Sequence, residues 1–265
     1  MRNLNSTKYI VVFCTVVCLV CSIFVAGAAV LLKEKQEVNA VLDRQKKVLV
    51  VAGLLAEDAK VKADEIQRLY KTHIRGRVVD LATGEVDAQA DAASYDLALV
   101  LADDKTSRPS EGTEASVTGL TRIPKKGLVF EVVFGDSVEM VVLPIQGKGL
   151  WSTLLGYLAI DSNGNTIRGI TFYKHGETPG LGGEVDNPSW KAVWSGRKAY
   201  NAKGEPAIAV IKGKAGGAAE APHKIDGLSG ATITGNGVTK FVQFWLGAKG
   251  YGPFLARLQK GGVKS

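Results

Sequence analysis

The run Asp226-Gly227-Leu228-Ser229-Gly230-Ala231-Thr232-Ile233-Thr234 gathers hydroxyls and small residues just ahead of an apolar repeat. Val238, Phe241, Val242, Trp245 and Leu246 recur at i, i+3, i+4, i+7 and i+8, the stripe of an amphipathic helix. A turn entering such a helix collects backbone N–H groups on one spot, where an anion such as a phosphate is welcome. Thr232 adds a hydroxyl to which a phosphate can be esterified. Ordinary helix capping asks for the same residue types, with Ser229 or Thr234 as the cap. The two readings are compatible, because one residue can cap while Thr232 carries a ligand.

Two other segments carry chemistry-bearing residues among glycines. In Pro144-Ile145-Gln146-Gly147-Lys148-Gly149-Leu150-Trp151-Ser152 the glycines flank a lysine and an aromatic follows. The spacing is not that of a P-loop. A plain loop leaving a strand, with Trp151 in the core, explains it equally well. The second segment, His175-Gly176-Glu177-Thr178-Pro179-Gly180-Leu181-Gly182-Gly183-Glu184, reads as a tightly turned loop whose backbone can approach a flat ligand. Thr178 and Glu177 offer a hydroxyl and a carboxylate at its tip, and Leu181 an apolar surface. His175, Glu177 and Glu184 match no strong metal motif, so no metal site is expected. GxSxG, HExxH and a strand-linked GxGxxG are all missing, which removes hydrolase and dinucleotide readings.

The elements that position these residues begin with residues 9–32, which hold no charged side chain. A helix of that length covers roughly 36 Å at ~1.5 Å per residue, enough for a ~30 Å hydrocarbon core. Ala26-Gly27-Ala28 resembles a signal cleavage site, but the apolar run continues through Leu32, which favours an uncleaved anchor. Flanking lysines and arginines leave the orientation open. The three cysteines, Cys14, Cys18 and Cys21, all lie in the apolar run, so the rest of the chain has no disulfide and no Cys-ligated metal or cluster.

From Glu34 to His73 the pattern predicts a helical stem interrupted at Gly53. From Ile74 it changes to short β-like runs, at 74–81, 128–134, 138–145, 157–161, 167–173 and 207–212, with a hairpin joining the fourth and fifth. Residues 103–122 read as loop-rich, and 214–222 as a mobile connection. The fold class is therefore α+β: a tail at 1–8, a transmembrane helix at 9–32, a stem at 33–73 and one domain at 74–265. The formal charge of +7 is scattered, aromatic content is 7%, and no nucleic-acid-binding motif is present, so nucleic acid is not expected as a partner.

Taken together, the anchor, the stem, residues 144–152, residues 177–183 and Asp226–Thr234 resemble the C subunit of the bacterial Na+-translocating NADH:quinone reductase, over essentially the whole chain. The related G subunit of the Rnf electron-transport complex shares the FMN-binding domain and the Ser-Gly-Ala-Thr motif. A stand-alone membrane-anchored FMN protein is a further alternative. The resemblance implies FMN esterified through its phosphate to Thr232, placed there from FAD by a flavin transferase. Ser229, Gly230, Ala231 and Asp226 complete the motif, and Lys224 is placed to offset the remaining phosphate charge. The ring is then expected against Trp151, Glu177, Thr178, Leu181 and Gly182. No catalytic residue is implied. The domain acts as a redox relay among other subunits of an inner-membrane complex, with its C-terminal domain on the periplasmic side.

Overall fold

The computed structural model describes residues 6–261. Positions 1–5 of the expected tail and 262–265 of the expected domain lie outside the described residues. The chain divides between Arg44 and Gln45 into two units, and one helix, α1 (Thr7–Val51), runs through the division. In the first unit α1 presents its apolar side chains outward, with Cys14, Cys18 and Cys21 among the exposed residues. The span expected at 9–32 lies inside this helix, which is long and apolar enough to cross a membrane.

In the second unit the helix does not simply pause at Gly53, as the pattern suggested; it ends. Gly53 adopts a φ of +72°, a left-handed conformation that favours glycine. Its N–H bonds Val50 O at 2.9 Å and the Leu54 N–H returns to Leu49 O at 2.9 Å, the pair of bonds that closes a helix on such a glycine. Irregular chain follows, tied down by Glu57, which pairs with Lys47 at 3.7 Å and with Lys191. Helix α2 (Ala63–His73) then leads directly into β1 (Ile74–Asp80).

Between β1 and the next long strand come α3 (Leu97–Ala102), β2 (Ser107–Pro109), α4 (Glu114–Thr118) and β3 (Arg122–Pro124). The stretch expected to be mainly loop thus contains a short helix and β2, which pairs as a two-stranded ribbon with β3 at its end. Next run β4 (Lys126–Phe134), β5 (Ser137–Lys148), β6 (Thr153–Asp161) and β7 (Ile167–Lys174). With β1 these form an antiparallel sheet in the order β1-β4-β5-β6-β7. After α5 (Pro188–Ala192), β8 (Ala209–Val210) pairs in parallel with β9 (Lys224–Ile225), so the strand expected at 207–212 keeps only two residues. Helices α6 (Thr232–Leu246) and α7 (Gly252–Gln259) complete the described chain.

Alternation along the strands sends side chains to both faces of the sheet. Val129, Val141, Leu143, Leu158 and Ile160 pack into the main core with α6 and α7. The opposite face is covered in part by the end of α1, where Val51 lies against Gly169, and by α2, whose Tyr70 meets Phe130 edge-on at 6.3 Å. The predicted stripe of α6 is the buried one: Val238, Phe241, Val242, Trp245 and Leu246 all belong to the core. Its seat on β5 is close because Gly147 has no side chain; a Cβ there would stand 2.1 Å from Phe241. Trp245 Nε1 donates to Gln146 O at 2.7 Å and fixes the helix along the strand.

Segment 214–222 is held rather than loose. The buried Arg197 guanidinium donates to the carbonyls of Val193, Gly216, Gly217 and Ala221 and gathers the segment around it.

Candidate functional site

Thr232 is the first residue of α6, and its side chain is exposed. The residue before it, Ala231, occupies the cap position, and no side chain caps the helix. The capping role expected of Ser229 or Thr234 is therefore not taken up. Ser229 is exposed, and Thr234 Oγ1 donates instead to Glu177 Oε2 at 2.7 Å. A fifteen-residue helix thus begins at an accessible hydroxyl with its first N–H groups uncapped, the local condition for an anion.

Glu177 organises the surroundings from inside. It is 5% exposed, so its carboxylate is not the tip group that the sequence suggested. Oε1 accepts from Trp151 N and Ser152 N at 3.0 Å each and from Ser152 Oγ at 3.1 Å. Oε2 accepts from Leu150 N at 3.2 Å besides Thr234. Burial raises the pKa of this carboxyl, but the Thr234 hydroxyl and the N–H groups of Trp151, Ser152 and Leu150 outweigh it and leave the pKa below the ordinary value. The His175 ring steadies the same residue: Nδ1 accepts from Glu177 N at 3.2 Å and Nε2 lies 2.8 Å from Asp186 Oδ2. One carboxylate therefore ties the loop after β5, the loop after β7 and the first turn of α6 together.

Around this centre the side chains point outward. Leu150 (45%), Trp151 (72%), Leu181 (44%) and Ile233 (58%) are exposed apolar residues. Apart from Leu99 and Phe134, they are the exposed large apolar residues of the second unit among the described residues. Trp151 is a surface residue, not the core residue that a plain-loop reading made it. Leu181 lies beside Gly230, where a Cβ would come within 2.9 Å of its side chain. Gly182 packs under Thr234 and Glu177, and Thr178 is on the same loop.

On the other side of Thr232 is a cleft of about 460 Å³, lined by Val210–Lys214, Gly227–Gly230, Gly235 and Asn236. Asp226 braces it. Its carboxylate takes Lys214 Nζ at 2.8 Å and Ala215 N at 2.8 Å, and its carbonyl takes Trp190 Nε1 at 2.8 Å. Burial opposes the Asp226 charge, but Lys214, the Ala215 N–H and the more distant Arg197 keep the pKa below the usual value. Lys224 does not line the cleft; it sits exposed on β9, paired with Ala209. The lysines that do line it, Lys212 and Lys214, went unremarked in the sequence because only a glycine separates them and no motif marks them.

Comparison with known proteins bears on the same residues. Residues 149–247 match the family model described as FMN-binding domain. The chain is 43% identical to the C subunit of the Na+-translocating NADH-quinone reductase of Yersinia pestis, covering 100% of this chain and 97% of that one. It is 48% identical to the C subunit from Vibrio parahaemolyticus, over 92% of each chain. Among solved structures it resembles NqrC of Shewanella oneidensis, with a TM-score of 0.70 at 32% identity, covering 82% of this chain and 96% of that one. The C subunit of the enzyme from Parabacteroides distasonis gives 0.63 at 27% identity, covering 84% and 96%.

Proposed function

The chain belongs to the C-subunit family of Na+-translocating NADH-quinone reductases, and from that premise we propose that Thr232 carries its FMN as a phosphoester. The protein is an FMN-binding subunit of a membrane oxidoreductase that couples NADH–quinone electron transfer to sodium transport, and other subunits of that complex are its partners. The relatives favour this reading over an Rnf-type subunit. The observation that carries the attachment site is the position of Thr232: an exposed hydroxyl at the start of an uncapped helix, at the mouth of a lysine-lined cleft.

Bound FMN supplies reversible acceptance and release of single electrons. The residues of this chain hold it. Thr232 would provide the ester oxygen, and the uncapped N-terminus of α6 would face the remaining phosphate charge. Leu181, Trp151 and Ile233 offer an apolar face for the ring. Glu177 and Gly182 act from beneath by keeping that face assembled. A flavin transferase would make the ester, and Thr232 Oγ would be the atom of this chain that holds the FMN phosphate. Following the family resemblance, the domain faces the periplasm.

The test is a denaturing gel of host membranes viewed under ultraviolet light, with mass analysis of the band. Wild type should fluoresce and carry an FMN-sized addition on the Thr232 peptide, and Thr232→Ala should be dark. Because the Thr232 side chain makes no capping bond, the variant should melt as wild type does. A fluorescent Thr232→Ala band would refute the site.

A further inference from the structure

We propose that the cleft beside Thr232 seats the phosphodiester and that Lys212 is its counter-cation, a role that Lys224 was placed to fill by sequence alone. The inference rests on the reading of Thr232 as the attachment residue.

Helical geometry sends consecutive residues in directions about 100° apart. Thr234 turns inward to Glu177, and Ile233 is exposed beside the apolar rim. Thr232 turns toward the cleft, together with Gly235 and Asn236. That side of α6 is fastened to β8: Thr239 Oγ1 accepts from Val210 N at 2.8 Å, and Gly235 packs on Val210. The loop that follows β8 brings Lys212 and Lys214 to the cleft wall. A group esterified to Thr232 would therefore have its charged end at the lysine-bearing cleft and its apolar end free to reach the rim.

Charge decides between the lysines. Lys214 is neutralised by Asp226, whose second oxygen holds Ala215 N. Lys212 is exposed and forms no ion pair among the described residues. A phosphodiester keeps one negative charge, and Lys212 supplies one unpaired positive charge in the same space. Asp226 thus serves the site indirectly. It takes Lys214 out of the balance and, through Ala215 N, holds the loop that carries Lys212, while Trp190 Nε1 fixes Asp226 itself by its carbonyl. The exposed Asn236 and Ser229 on the cleft wall add donors for the free phosphate oxygens.

The experiment expresses the full chain with its partner subunits and transferase. It compares wild type, Lys212→Gln, Lys212→Glu, Lys212→Arg and Lys224→Gln. Flavin per chain is followed in time by gel fluorescence, and the first reduction potential is measured on the loaded fraction. Lys212→Glu should slow loading about tenfold, the loss expected for reversing one charge-assisted contact. Lys212→Gln should load faster than Lys212→Glu, and its flavin should have a lower potential than wild type, since a removed positive charge no longer favours the added electron. Lys212→Arg should restore both. Loading and potential unchanged in Lys212→Glu would overturn the proposal while leaving Thr232 in place. So would loss in Lys224→Gln with none at Lys212. A dark wild-type band would overturn both this and the attachment reading. Lys212 is exposed, so melting temperatures should stay level across the series and exclude misfolding.

Discussion

Glu177→Ala should be the most damaging single truncation near the proposed flavin site, although Glu177 is not at its surface. The buried carboxylate accepts from five donors: the N–H groups of Leu150, Trp151 and Ser152, and the hydroxyls of Ser152 and Thr234. Hydroxyls can rotate to other acceptors; the three N–H groups are fixed by the backbone. Each buried donor left without a partner costs about 1–3 kcal/mol. Water entering the vacated space recovers part of that, so about 3–5 kcal/mol is expected in total. Glu177→Gln separates charge from shape. Its amide oxygen keeps the three bonds made by Oε1, while its NH2 faces the Leu150 N–H, donor against donor. That variant should lose about 1–3 kcal/mol.

Urea unfolding of the detergent-solubilised full chain, followed by tryptophan emission, measures both. The pH dependence supplies a second check. The folded pKa of Glu177 is depressed, so its stabilisation is fully present above the unfolded value of about 4.3 and is lost as pH falls through the folded value. The gap between wild type and Glu177→Gln should therefore close in acid. A loss below about 1 kcal/mol for the Ala variant, or equal losses for Ala and Gln at neutral pH, would refute the idea that counted acceptors hold the loops together.

Two further outcomes follow from neighbouring features. Leu181→Asp places a negative charge on the apolar rim and should lower the flavin potential by a few tens of millivolts; an unchanged potential in redox titration would remove Leu181 from the ring's surroundings. Glu114, held by Arg108 at 2.7 Å and by Lys249 at 2.8 Å, has its pKa pulled down to about 2 despite burial, chiefly by the Arg108 hydrogen bond. Glu114→Gln should therefore cost about 2–3 kcal/mol near neutral pH and almost nothing near pH 2, since stability from a depressed carboxyl vanishes as pH falls through its folded pKa. An equal loss at both pH values in urea titrations would exclude the ion pairs as its cause.

The long elements were legible because their patterns are long. The apolar run of α1, the stripe of α6 and the strands β4 to β7 carry enough periodic residues for a period to be read. The short pieces were not. Residues 103–122 hide β2, α4 and the start of β3, each too brief to show a period, and β8 owes its two residues to a parallel partner that lies well beyond it in the chain. Residue types in the site were legible in the same uneven way. The turn before α6 advertised itself by composition, whereas the burial of Glu177 depends on contacts with residues 25 to 57 positions distant. An acidic residue between two glycine-rich stretches looks exposed until the loop after β5 is folded over it. Trp151 shows the reverse: a large aromatic after glycines suggests core, but the three N–H groups around it are turned inward to Glu177 and carry its ring outward.

The first turn of α6 explains why the site needs three loops rather than one. Thr232, Ile233 and Thr234 face a lysine-bearing cleft, an apolar rim and a buried carboxylate in turn. The loop after β8 supplies the cleft, and the loops after β5 and β7 supply the rim and, with Glu177 of the latter, the buried carboxylate. A flavin held by one bond to Thr232 would swing freely unless both of its ends met fixed surfaces. Gly147 and Gly237 let α6 sit so close to β5 that added Cβ atoms would stand 2.1 Å from Phe241 and 2.2 Å from Lys148 O, so the helix start has little room to shift. Rigidity of the start of α6 thus comes from its core side, and the chemical character around Thr232 comes from the three loops. A substitution that loosens the helix on β5 should disturb the cleft and the rim together, while one in the loop after β8 should disturb the cleft alone.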